Sequence, residues 1–234
     1  MIAGNRPTPD LLSLGSAPWR AFWALVCVVV GGCTVGEGHG WVQSDRLLIK
    51  NCWEGSFDLQ PTFFGANPFR EEELLIRVQR GDNIQELSDG LTIHVRDIAA
   101  IREGMLGEPL AVGLPPEVTP PGIPVEADPN PPLVSLAIYL NATCHAQNAT
   151  IYALPAEKID GVTQESAITF TSLFSGDPNE SKAENRLTEG SFSAWFADPR
   201  DIENADSIPA DRASLVSGEF SFYFQRGPPA QPFP

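Results

Sequence analysis

Residues Leu215–Gln225 read Leu-Val-Ser-Gly-Glu-Phe-Ser-Phe-Tyr-Phe-Gln, and the period of two in the second half of this stretch decides the fold class. Phe220, Phe222 and Phe224 fall on one side of an extended chain, while Ser221, Tyr223 and Gln225 fall on the other. A helix would scatter those rings around its circumference, whereas a half-solvated strand sends them all to a core. Leu91–Arg96 repeats the pattern, with Leu91, Ile93 and Val95 opposing Thr92, His94 and Arg96. Short runs rich in β-branched and aromatic residues recur at Arg46–Lys50, Ser56–Gln60, Leu74–Gln79, Leu133–Leu140, Thr150–Leu154, Ala167–Phe174 and Ser191–Phe196, each bounded by turn residues. Together they predict an all-β chain over residues 46–226, built as an antiparallel β-sandwich with two sheets face to face.

Two stretches stand outside that rhythm. Leu106 to Pro132 holds nine prolines among the 24 residues from Pro109 onward, which reads as a Pro-rich insertion of extended backbone. Residues 227–234 form a Pro-rich tail. Arg70 to Arg80 is ambiguous, because Glu71-Glu-Glu73 can open a helix, and Asp97 to Glu103 suits one short helical turn.

The whole chain has 234 residues, 42% hydrophobic and 19% charged. That balance excludes wholesale disorder, and 22 Pro with 20 Gly excludes a coiled coil. A net charge of −15, with no clustered Lys or Arg to offset it, excludes nucleic acid as a partner. From Glu103 to Glu157 there is no Lys or Arg at all, a flank that reads first as a solvated acidic loop, with a contact to a cationic protein or a divalent ion as the alternative.

The amino-terminal region carries an address. Arg6 and Arg20 precede an uncharged stretch from Ala21 to Gly36 whose densest part is Phe22-Trp-Ala-Leu-Val-Cys-Val-Val-Val30. A positive flank, a short apolar core and small residues at its end are the parts of a secretory signal. As a helix, Ala21 to Gly32 would rise about 18 Å, well short of the roughly 30 Å of hydrocarbon a spanning helix must cross. Val30-Gly31-Gly32-Cys33 resembles the lipobox of bacterial lipoproteins, in which an aliphatic and two small residues precede an obligatory cysteine. The resemblance implies that residues 1–32 are a cleaved signal helix, that Cys33 is the lipid-attachment residue, and that the membrane is a partner through that anchor. Thr34, where the family's inner-membrane retention signal would have Asp, implies an outer-membrane destination.

Cleavage there would leave 13 basic and 29 acidic side chains, a net charge of −16. Cys52 and Cys144 then remain as an even pair in an oxidising compartment, where they are expected to form a disulfide. Residues 33–45, with Gly36, Gly38 and Gly40, read as a flexible tether.

Signals of chemistry are sparse. His39, His94 and His145 do not make a His-Glu-x-x-His spacing, and Gly-x-Ser-x-Gly, Ser-x-x-Lys and a phosphate-cradling glycine loop are missing. The expectation is therefore a non-enzymatic protein with no catalytic residues, no cofactor and no metal. The acidic clusters at Asp177–Ser181 and Asp198–Asp206 read as solvated turns, since Lys182 and Arg200 bring positive charge to any calcium cage. Strand alternation sends Phe192 and Phe196 inward and leaves Trp195 and Tyr223 on the wet face. That makes Trp195 and Tyr223 the candidate ligand-binding residues, for a glycan or an envelope protein. The leading role is structural or recognitional, with a glycan-binding module as one alternative and a hydrolase assembled from scattered residues as another.

Overall fold

The computed structural model describes residues 38–68, 72–81, 87–115, 131–145, 149–177, 179–198, 201 and 207–224. The signal, Cys33 and the Pro-rich tail lie outside them, as does most of the Pro-rich insertion. The strands are β1 Gly38–Ile49, β2 Trp53–Leu59, β3 Phe63–Pro68, β4 Leu74–Gln79, β5 Asp89–Val95, β6 Pro109–Gly113, β7 Val134–Leu140, β8 Thr150–Leu154, β9 Ile159–Asp160, β10 Ala167–Ser172, β11 Leu187–Ala197, β12 Ile208–Pro209 and β13 Ser214–Tyr223. Helix α1 spans Ile98–Gly104, with Asp97 Oδ1 accepting from the Ala100 N–H at 2.8 Å and Ile98 and Ile101 turned into the core. No helix among the described residues is long and apolar enough to cross a membrane.

The all-β class follows from the alternation, and the core faces are those the sequence assigns: Leu91, Ile93 and Val95 are buried, as are Phe220, Phe222 and Phe224. The strands pair into one mixed eleven-stranded sheet instead of two separate ones, in the order β2-β1-β13-β11-β10-β6-β7-β5-β4-β3. Nearly every pairing is antiparallel; β6 with β7 and the short β9 with β12 are parallel. Strand β8 bridges β11 and β7 at one end, while β10 and β6 together bridge them at the other. One intervening strand at one end and two at the other splay β7 from β11. There the sheet turns from one arm into the other.

The arms face each other across the core. Phe64 of β3 stacks on Phe222 of β13 with ring centroids 5.7 Å apart. The edge strands β2 and β3 are consecutive in the chain. Thr62 N–H donates to Gln79 O at 3.0 Å, which extends the β3–β4 ladder, and Arg80 Nη2 donates to Asp58 O at 3.2 Å, which laces that hairpin to the end of β2 and occupies a carbonyl on an open edge. The Cys52–Cys144 disulfide, with Cα atoms 5.8 Å apart, fastens the β1–β2 turn to the segment after β7.

The structure corrects the tether and defines three further segments. The tether does not run to Asp45, because β1 begins at Gly38 and pairs with β13 from Gly38↔Phe222 to Gln43↔Ser217. Its glycines serve packing: a Cβ on Gly40 would lie 2.5 Å from Glu219 O, and one on Gly38 2.5 Å from Phe222 Cβ. The Pro-rich insertion is structured at its start, where β6 joins β10 and β7; Pro109 heads that strand, a position where a missing N–H is tolerated. Residues 74–79 are strand β4, as their apolar run predicts, which resolves the ambiguity of that segment in favour of the strand. Strand β3 went unread because its Phe-Phe-Gly-Ala-Asn-Pro sequence carries turn residues, as an edge strand can.

Candidate functional site

The outer face of the β2-β1-β13-β11 arm carries a groove of about 590 Å³, and a defect in β1 opens it. Between Ser44↔Phe57 and Leu47↔Gly55, β1 spends one residue more than β2, a bulge that falls at Asp45 and Arg46. The ladder between β1 and β13 stops at Gln43↔Ser217. Past that point side chains replace it: Ser44 Oγ donates to Leu215 O at 2.8 Å, and the Leu48 N–H donates to Ser214 Oγ at 2.8 Å. Two hydroxyls therefore hold apart strands that would otherwise hydrogen-bond directly, and the gap becomes the groove.

Trp41 and Trp195 line the groove, with Gln43, Ser44 and Ser217 between them and Phe57 on the β2 side. Register fixes their spacing. Trp41 stands opposite Glu219 and Trp195 opposite Leu215. Four residues along β13 and two strand spacings place their Cα atoms about 16 Å apart. Both rings are held. Trp41 Nε1 donates to Glu219 Oε2 at 3.3 Å. Trp195 packs against a second cluster of Leu154, Ile159, Ala197, Ile208 and Ala213, separate from the main core. Arg46 reaches across the rim, donating to Asp211 O at 2.7 Å and pairing with Glu54 at 3.1 Å.

Trp195 thus lies on the expected face, and in the groove. Tyr223, although 47% exposed, does not line it: it pairs with Leu187 beyond the Trp41 end, about 14 Å along β13 from Glu219 and about 27 Å from Leu215. The partner of Trp195 is Trp41, which the sequence placed in a tether. What could have revealed it is the alternation Trp41-Val42-Gln43, which continues the strand upstream of Asp45.

The remaining candidates are scattered. Cys52 and Cys144 are joined, as expected. His39 and His145 are both exposed. His94 Nε2 lies 2.9 Å from Glu73 Oε2, and Ser135 stands opposite His94 in the β5–β7 ladder. That trio has the residue types of a hydrolytic triad, yet Ser135 is 2% exposed, so a substrate cannot reach its hydroxyl without displacing what covers it. Asp177 Oδ1 accepts from the Asn179 N–H, and Glu180 accepts from the Lys182 N–H and the Asn185 amide. The Lys182 N–H, first among several causes, holds the Glu180 carboxyl below the usual carboxylate range. These carboxylates cap turns, and among the described residues no group of three or more His, Cys, Asp or Glu could hold a metal.

Two further perturbed titrations lie on the other arm. Burial pushes the Tyr139 phenol up against an opposing pull from Arg77, and burial lowers the Arg77 guanidinium. Tyr139 donates to Gln79 Oε1 at 2.9 Å, a buried pair that joins β7 to β4 across β5. Compared with family models, curated proteins and solved structures, the chain matches none.

Proposed function

We propose that the protein is a lipid-anchored lipoprotein of the bacterial cell envelope, held in the outer membrane through Cys33, with a recognition role for its β domain. The observation that carries this reading is the Cys52–Cys144 disulfide. It joins positions 92 residues apart, and such cross-links persist in oxidising compartments outside the cytosol. Export fits the charged flank, apolar core and Val30-Gly31-Gly32-Cys33 motif, and Thr34 after the cysteine favours the outer membrane. Several acyl chains on one residue, at about 0.8 kcal/mol per buried methylene, make a firm anchor. Recognition is favoured by two indoles that flank hydroxyls and an amide in the groove, whose Arg46 is already engaged by Glu54 and Asp211 O.

Mass spectrometry of the mature amino terminus tests the reading. An acylated Cys33 is expected, with Cys33→Ser shifting the protein from the membrane to the soluble fraction. An unmodified residue 33, or a retained Met1, overturns it.

A further inference from the structure

We infer that the groove between Trp41 and Trp195 binds an uncharged oligosaccharide, laid along the outer face of β1, β13 and β11. This gives the recognition role its ligand class, but it rests on the groove and not on the anchor.

A sugar ring presents an apolar C–H face and a circumference of hydroxyls. It therefore needs a flat ring to stack on and small polar groups beside it. The groove supplies both. Indoles offer large rigid surfaces at low entropic cost. Here each is fixed before any ligand arrives, Trp41 by its bond to Glu219 and Trp195 by the cluster beneath it. Between them Gln43 and Ser217 sit directly opposite each other in the ladder; Gln43 Nε2 donates to Asp58 at 3.4 Å and Ser217 Oγ to Ser193 at 3.4 Å, which orients the amide oxygen and the hydroxyl oxygen as acceptors for a sugar hydroxyl. The volume falls within the range of small-ligand sites. A protein partner typically needs about 800 Å² of surface on each side, and an open groove of this size suits a narrow chain better.

Charge narrows the class. Asp45 lines the groove, and Glu54, Asp58 and Glu219 flank it. Arg46 carries the positive charge among the lining residues, but its guanidinium is engaged by Glu54 and by Asp211 O. A polyanionic glycan would meet carboxylates without a free counter-charge, so the ligand is neutral.

Affinity electrophoresis of the full chain through soluble glucan, mannan and xylan tests this, with tryptophan fluorescence titration by chitohexaose and with alginate and oligolysine as charged probes. The expected result is retention on, or titration by, at least one neutral glycan, little changed by added salt. Trp41→Ala should weaken it about tenfold or more, and Ser217→Trp, which fills the floor from a half-buried position and is read with its melting curve, should abolish it. Tyr223→Ala should match the wild type. Trp195→Ala also removes packing, so it is read only if its melting curve is unchanged; Trp41→Ala and Ser217→Trp carry the test. The inference is overturned if no neutral glycan binds, if only alginate or oligolysine binds, or if both of those variants bind like the wild type. Failure here leaves the acylation result untouched, and an unacylated residue 33 leaves the binding result untouched.

Discussion

Opening the Cys52–Cys144 disulfide separates what the cross-link contributes from what the core contributes. The bond joins positions 92 residues apart with Cα atoms 5.8 Å apart. Loop-closure entropy removed from the unfolded chain corresponds to about 4–5 kcal/mol for a span of that length. In a domain of this size each kcal/mol moves the melting temperature by about 2–4 °C, so reduction should lower it by roughly 8–20 °C. Both cysteines are half-buried, at a turn and just after a strand, so reductant has access without prior unfolding. Thermal melts followed by circular dichroism, with and without reductant, give the shift. Cys52→Ala/Cys144→Ala should melt close to the reduced wild type, slightly lower for the sulfur packing it also loses. A shift below about 3 °C would refute the reasoning, because it would mean that the unfolded chain gains little freedom when the link is opened. Free thiol at either position in denatured, unreduced mature protein would refute the link itself.

Other perturbations probe the packing and the groove. A Cβ on Gly218 would lie 2.5 Å from Phe192 Cε1 and 2.7 Å from Trp41 O, so Gly218→Ala should cost about 1–3 kcal/mol in urea unfolding. Ser44→Ala leaves the Leu215 carbonyl without its hydroxyl donor and should cost about 1–3 kcal/mol; a neutral result would show that the strands close the gap by themselves. Asp97→Ala removes the α1 cap and should cost about 1 kcal/mol. Tyr139 has its folded-state value raised by burial, so its contribution is fully present below the ordinary phenol value near pH 10 and is lost as pH rises through the folded value. Urea midpoints should therefore fall more steeply above about pH 10 in the wild type than in Tyr139→Phe; equal slopes would count against it.

Much of the fold was legible because alternation is a local property. Phe220, Phe222 and Phe224 stay on one side wherever the strand lies, and the buried side of β5 was equally plain. Strands β3 and β6 and the first two thirds of β1 were not, since Gly and Pro there carry turn chemistry on their face. Their strand role comes from neighbours: Phe220 and Phe222 lie so close to Gly40 and Gly38 that a Cβ has no room. The site was half legible. Trp195 was assigned to the outer face correctly, but its pairing with Tyr223 failed because both sit on that face at opposite ends of one arm.

The sequence by itself determined the all-β class, the buried faces and the cysteine pair, since each depends on residue types within a few positions or on a simple count. Only the tertiary structure decided that the strands form one sheet turned on itself, and that Trp41 and Trp195, 154 positions apart, share a groove. Register between distant strands is set by how the whole core packs. A single extra residue at Asp45–Arg46 becomes a cleft only because β13 lies beside it.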